Sequence, residues 1–189
     1  MSNIPSISEL YDLDHTIAKA LFLRHTYPWE VLKELKAFIL ALGETLPTDE
    51  YDHPEEGVWI AKDAKVFPSA YIDAPCIIDH GAEIPHHNYV GDSVLGWHAH
   101  MGAGSITSNV KSDRTNIVIR CGKETAETGA YKIGAMLGDF VEVGCNSVLN
   151  PGTIIGKHTN IYPLSRVRGV IMADSIYKSA DNIVLKENR

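Results

Sequence analysis

The 189-residue sequence has little cysteine: Cys76, Cys121 and Cys145 are all there is, and no two form a CxxC pair. A cysteine-based zinc motif and a disulfide framework are excluded, leaving free thiols as the expectation. Positive charge is in deficit, with 17 Lys and Arg against 24 Asp and Glu and a formal net charge of −7. Nucleic-acid binding needs an excess of cations against phosphate, so no such partner is expected. A local cationic pocket for a phosphorylated ligand remains compatible with that balance. No apolar run reaches the roughly 18 residues of a membrane span, and Met1 to Glu9 is polar, without a signal core. A soluble, cytoplasmic chain is the expectation.

Ordinary periodicity is also missing from most of the chain. Apolar residues recur neither at the 3.6-residue spacing of a helix nor at the spacing of two of an exposed strand. An aliphatic residue returns every six positions instead: Ile60, Val66, Ile72, Ile78, Ile84 and Val90, then Leu95 and Met101 after a slip of one. The series resumes as Leu137, Val143, Leu149, Ile155, Ile161 and Val167. The fourth residue after each is usually small, as at Ala64, Ala70, Cys76, Ala82, Ser147, Thr153, Thr159 and Ser165. A fixed short repeat of this kind specifies a solenoid, whose units bury their apolar edges by stacking on their neighbours.

Residues 1–47 differ and read as a helical segment. Asp14 is placed to cap a short helix through Ile17, Leu21 and Phe22. Pro28 suits the first position of a second helix, with Glu30 in its first turn and Leu32, Leu35, Ile39 and Leu42 as its apolar stripe. Gly43 and Pro47 mark its end. This segment is expected to cap the open end of the solenoid, with a separate binding role as the alternative. Residues 48–57 read as an acidic linker and 58–171 as the solenoid. Residues 108–130 abandon the repeat and read as an extruded hairpin-like loop around Cys121-Gly122-Lys123. Such loops on rigid scaffolds often carry function. The tail, 172–189, contains Ile176, Tyr177, Ile183, Val184 and Leu185, enough for a strand or two.

The repeats resemble the hexapeptide-repeat acyltransferases. The likeness sharpens in His86-His87-Asn88-Tyr89-Val90-Gly91-Asp92 and in Gly102-Ala103-Gly104-Ser105-Ile106-Thr107-Ser108-Asn109. Those runs resemble the acetyltransferase domain of bifunctional N-acetylglucosamine-1-phosphate uridyltransferases. Stand-alone UDP-N-acetylglucosamine pyrophosphorylase-related proteins share them, together with Tyr27 to Glu30 and the run Lys132 to Pro163. The resemblance implies a left-handed parallel β-helix with three hexads per coil, an N-terminal helical cap, and a homotrimer with active sites between subunits. It implies acyl transfer from acetyl-coenzyme A, without a covalent acyl-enzyme, to an amino or hydroxyl group of a sugar or sugar-phosphate.

By the same resemblance His86 is the general base. Tyr89, His100, Asn109 and Lys111 contact the acceptor, His100 standing where the relatives carry Asn. Gly102, Ala103, Gly104, Cys145, Lys157 and Pro163 hold coenzyme A, and Arg166 and Arg168 join Lys157 as candidates for its phosphates. A histidine is suited to the base role because it changes protonation near neutral pH. Two departures stand out. No Gly-rich nucleotidyl-transfer domain is present in the sequence, so pyrophosphorylase activity is not expected. Relative to those proteins about two coils are also missing between Glu83 and His86, a region that supplies their cationic sugar-phosphate contacts. A non-catalytic scaffold or ligand-binding protein is therefore the alternative. A metal-dependent hydratase built on His98 and His100 is a third reading, but the spacing lacks the His-x4-His pair of the zinc enzymes of this fold, and no metal site is assigned.

Overall fold

Stacking of the hexads is what builds the architecture. The computed structural model describes residues 3–67, 72, 74–78, 83–84 and 87–187. They divide into two compact units, residues 1–31 with 88–189 and residues 32–87.

In the larger unit three parallel sheets run along the coils. One contains Val94–Leu95, Ala135–Leu137, Thr153–Ile155 and Val170–Ile171. The second contains His100–Met101, Glu142–Val143, Asn160–Ile161 and Ser175–Ser179, with Asn182–Leu185 added antiparallel at its edge. The third contains Tyr89–Val90, Ile106–Thr107, Val148–Leu149 and Arg166–Val167. Met136 pairs with Ile154, Val143 with Ile161 and Leu149 with Val167, so one coil is eighteen residues, or three hexads. This is the parallel β-solenoid of a left-handed β-helix.

The periodic residues fill its interior. Leu137, Leu149, Ile155 and Val167 are fully buried, with Met101, Val143 and Ile161 nearly so, and they form one cluster with Ile171 and Tyr177. Val90 and Leu95 sit on strands at the sheet edges and are half and 38% exposed. The small polar positions are buried too, and their hydroxyls are satisfied by backbone carbonyls. Thr153 donates to Asn150 at 2.7 Å, Thr159 to Met172 at 2.9 Å, and Ser147 to Tyr162 at 3.2 Å. A larger side chain would not fit there, and an unpaired hydroxyl would cost desolvation energy. Corners are turned by residues in the left-handed region, among them His98, Phe140 and His158, with φ of 52°, 58° and 57°.

Residues 108–130 contain an antiparallel hairpin, Val118–Cys121 with Glu124–Glu127. The departures from the sequence reading are local. Towards the N-terminus, Asp12 rather than Asp14 accepts a cap bond, closing a 3-10 turn over Leu13–His15; Asp14 pairs with Lys19, and the helix Lys19–Phe22 is only four residues long. Pro28 does begin a helical stretch, a 3-10 turn over Pro28–Val31.

The smaller unit begins with the helix Leu32–Gly43. Tyr51–Glu55, within the stretch read as a linker, is a strand paired antiparallel with Val58–Ala61. Val58–Ala61 pairs parallel with Cys76–Ile78, and Lys65–Val66 with Glu83–Ile84, again at a stride of eighteen. Its core is Tyr51, Trp59 and Ala61, packed by Ile39, Leu46, Ala64 and Ile77.

Candidate functional site

Parallel, in-register pairing stacks equivalent side chains of successive coils one strand spacing apart, about 4.8 Å. In the second sheet His100 pairs with Glu142, Glu142 with Asn160, and Asn160 with Ile176. Each precedes an inward-facing apolar residue, Met101, Val143, Ile161 or Tyr177, so this row faces outward. His100 Nδ1 and Glu142 Oε2 lie 2.9 Å apart, with both side chains a little over half exposed. A carboxylate on one ring nitrogen fixes the orientation of an imidazole and leaves the other nitrogen for a ligand.

This pair borders an open groove of about 380 Å³ lined also by Gly102, Cys145, Tyr162 and Pro163. Coil stacking explains the glycine: a Cβ on Gly102 would stand 2.7 Å from the Cys145 nitrogen and 2.9 Å from the Val143 oxygen. Cys145 is an exposed free thiol at the next corner. Of the residues expected to hold coenzyme A, Gly102, Cys145 and Pro163 thus share one groove with His100. Ala103 and Gly104 continue from Gly102 into the adjoining corner.

A second polar cluster involves Tyr89 and Asn109. The Asn109 Nδ2 donates to the Tyr89 hydroxyl at 3.2 Å and to Asp92 Oδ2 at 2.6 Å. Tyr89 is half exposed. Lys111 lies elsewhere, bonded to Thr115 and 3.9 Å from Asp113. Lys157 is spent on Asp139, whose carboxylate it meets at 3.1 Å. His98 meets Trp97 edge-on at a centroid distance of 4.3 Å and stacks on Phe140 at 5.6 Å, while His100 turns to Glu142. Among the described residues no three His, Cys, Asp or Glu side chains converge as a metal site. His86 lies outside the described residues.

Sequence reasoning missed Glu142 and Asp92. Glu142 stands 42 positions from His100 instead of eighteen, because residues 108–130 leave the coil between them. Only a register that skips this excursion reveals the pair. Asp92 was within reach, as it closes the motif that begins at His86.

No family model matches the chain. A bifunctional sugar-1-phosphate nucleotidylyltransferase/acetyltransferase of Sulfurisphaera tokodaii is 36% identical over 87 residues, 46% of this chain and 22% of that protein. The bifunctional protein GlmU of Methanococcus vannielii is 34% identical over 113 residues, 59% of this chain and 27% of that protein. The GlmU of Caldanaerobacter subterraneus is 38% identical over 85 residues, 45% of this chain and 15% of that protein. The chain therefore spans about a quarter or less of the length of these curated relatives. Among solved structures, a point mutant of AntD, an N-acyltransferase from Bacillus cereus in complex with dTDP and coenzyme A, superposes over 76% of this chain and 93% of that one. Its TM-score is 0.42 and its identity 17%. No helix among the described residues is long and apolar enough to cross a membrane. Eighteen-residue coils with hexad-spaced core residues make the fold a hexapeptide-repeat β-helix, and the sequence is similar to part of the bifunctional sugar-1-phosphate nucleotidylyltransferase/acetyltransferases.

Proposed function

We propose that this protein is a coenzyme-A-dependent acyltransferase that carries an acetyl or similar acyl group to an amino or hydroxyl group of a sugar or sugar-phosphate. One observation carries the reading: Gly102, Cys145 and Pro163, the positions expected to hold the donor, line the same open groove as the His100–Glu142 pair. The Sulfurisphaera tokodaii relative, named as an acetyltransferase, supports it.

The chemistry asks little of the chain. Backbone groups along the Gly102 corner and the face of Pro163 would hold the extended pantetheine arm of acetyl-coenzyme A. The acceptor nitrogen or oxygen attacks the thioester carbonyl as a base takes its proton. The C–S bond then breaks, and the thiolate leaves with a proton returned to it. His86 is the base in this reading. His100, held by Glu142, and the Tyr89–Asn109 pair orient the acceptor. No acyl-enzyme forms on Cys145. The working assembly is a cytoplasmic homotrimer.

The test is acetyl transfer from acetyl-coenzyme A to a panel of amino sugars and sugar phosphates, followed as free thiol released. Turnover in the wild type, its loss in His86→Ala, and retained coenzyme A binding in that variant are expected. Undiminished turnover in His86→Ala would remove His86 from the mechanism. Absence of both transfer and coenzyme A binding would leave a scaffold or ligand-binding protein as the better reading.

A further inference from the structure

The corner that leaves the third sheet after Val90 is tight, and its glycine lets Tyr89 fold back over it. A Cβ on Gly91 would stand 2.4 Å from the Tyr89 hydroxyl. Asp92 follows with φ of 46°, in the left-handed region that Asp and Asn enter more readily than other side chains. Tyr89 pairs with Ile106 and Val90 with Thr107, so Asn109 occupies the place on the next coil that Asp92 occupies here. The turn at Asp92 brings the two side chains together, and Asp92 Oδ2 accepts the Asn109 amide N–H at 2.6 Å.

That carboxylate decides which way the amide faces. The reverse orientation would set the Asn109 oxygen 2.6 Å from a carboxylate oxygen, two acceptors with no proton between them. Asp92 therefore fixes the NH2 inward, and its second hydrogen goes to the Tyr89 hydroxyl at 3.2 Å. Both amide hydrogens are then committed, and the Tyr89 oxygen accepts in its bond. One donor is left for a ligand, the Tyr89 O–H, beside the acceptors Asn109 Oδ1 and the Asp92 carboxylate, none with a further partner among the described residues. No cation joins the cluster among those residues, because the Lys111 ammonium turns to Thr115 and Asp113.

We propose that Asp92 is a positioning residue, and that the Tyr89–Asn109 pair it sets reads a hydroxyl of an unphosphorylated amino sugar. That this sugar is the acyl acceptor rests on the acyl-transfer reading above. A sugar hydroxyl both accepts and donates, so it can take the Tyr89 hydrogen and give its own to Asn109 Oδ1. A phosphate oxygen only accepts. It would use the single donor and then face an amide oxygen and a carboxylate, with no cation to offset the repulsion. Asp92 itself touches no part of the sugar and acts through Asn109.

The experiment is saturation-transfer NMR of glucosamine with the full chain, titrated to a Kd, for the wild type, Asp92→Asn and Tyr89→Phe. Asp92→Asn keeps the size of the side chain and suits the left-handed corner, but removes the charge that orients Asn109. Each variant should weaken glucosamine about two- to tenfold, as expected for one lost hydrogen bond, with coenzyme A affinity by calorimetry unchanged. Inorganic phosphate at the concentration of the sugar should not displace it. In transfer assays the Asp92→Asn loss should raise the KM for glucosamine and not that for acetyl-coenzyme A, a split that general damage to the fold would not give. Equal glucosamine affinity in Asp92→Asn, displacement by phosphate, or no glucosamine binding by the wild type overturns the proposal. Glucosamine binding that depends on Asp92, without any transfer, would instead retire the acyl-transfer reading and leave a sugar-binding site.

Discussion

Asp139 offers the sharpest test of how the N-terminal segment is fastened to the coils. Its side chain is buried and accepts the Asp12 N–H at 2.6 Å and the Trp97 N–H at 2.9 Å, while Lys157 approaches to 3.1 Å. Its own N–H donates to the Leu10 carbonyl at 2.9 Å. Every side-chain partner is a donor, so only a carboxylate satisfies the site. Hydrogen bonds to a charged group contribute about 1.5–3 kcal/mol each. Asp12 and Trp97 are solvent-exposed, so water replaces part of what is lost, and Asp139→Ala should cost about 3 kcal/mol. For a chain of this size that is roughly 6–12 °C in Tm. Asp139→Asn should cost nearly as much, because its amide must turn an NH2 towards one of the three donors. Denaturant unfolding measures both costs, and the fluorescence of Trp97, on which His15 stacks at 4.6 Å, reports release of the segment. A loss below about 1 kcal/mol for Asp139→Asn would refute the argument that a charge is required here.

Tyr11 is buried beside Asp139, and its hydroxyl has no hydrogen-bond partner among the described residues. Burial, with the Asp139 charge as a second cause, holds its pKa well above the ordinary 10.0. The unfolded chain therefore releases this proton first as pH rises past 10, so the stability contributed is present below that pH and is lost above it. Tyr11→Phe should be neutral or slightly stabilising at neutral pH and should flatten the alkaline loss; an unchanged alkaline slope counts against this. Leu149→Ala, at a fully buried hexad position, should cost about 2–5 kcal/mol in denaturant unfolding, and a cost under about 1 kcal/mol would mean the coils are not tightly stacked there. Glu142→Gln should raise the acceptor KM while leaving coenzyme A affinity unchanged, since it frees the His100 ring but leaves Gly102 and Pro163 in place. An unchanged KM would remove the pair from acceptor binding.

Much of the fold was written in the hexads because in a solenoid each repeat has the same neighbours. Leu137, Val143, Leu149 and Ile155 recur at six residues and all end in the core. The buried hydroxyls of Ser147, Thr153 and Thr159 follow the same logic. The N-terminal segment was poorly legible because its order comes from tertiary bonds. Asp12 and Tyr11 are placed by Asp139, more than 120 residues away in the chain, and local helix signals at Asp14 say nothing of that. The His100–Glu142 pair was hidden for a related reason. It depends on where the excursion leaves and rejoins the coil, a matter of register that composition does not encode.

The central claim is that the groove beside His100 takes the acyl donor. Calorimetric titration with acetyl-coenzyme A, of the wild type and of Cys145→Trp, tests it most directly. Cys145 is exposed, so the indole fills the groove without entering the core. The account predicts saturable micromolar binding at one site per chain in the wild type and its loss in Cys145→Trp. Absence of wild-type binding at millimolar donor, or equal binding by the filled variant, would contradict it.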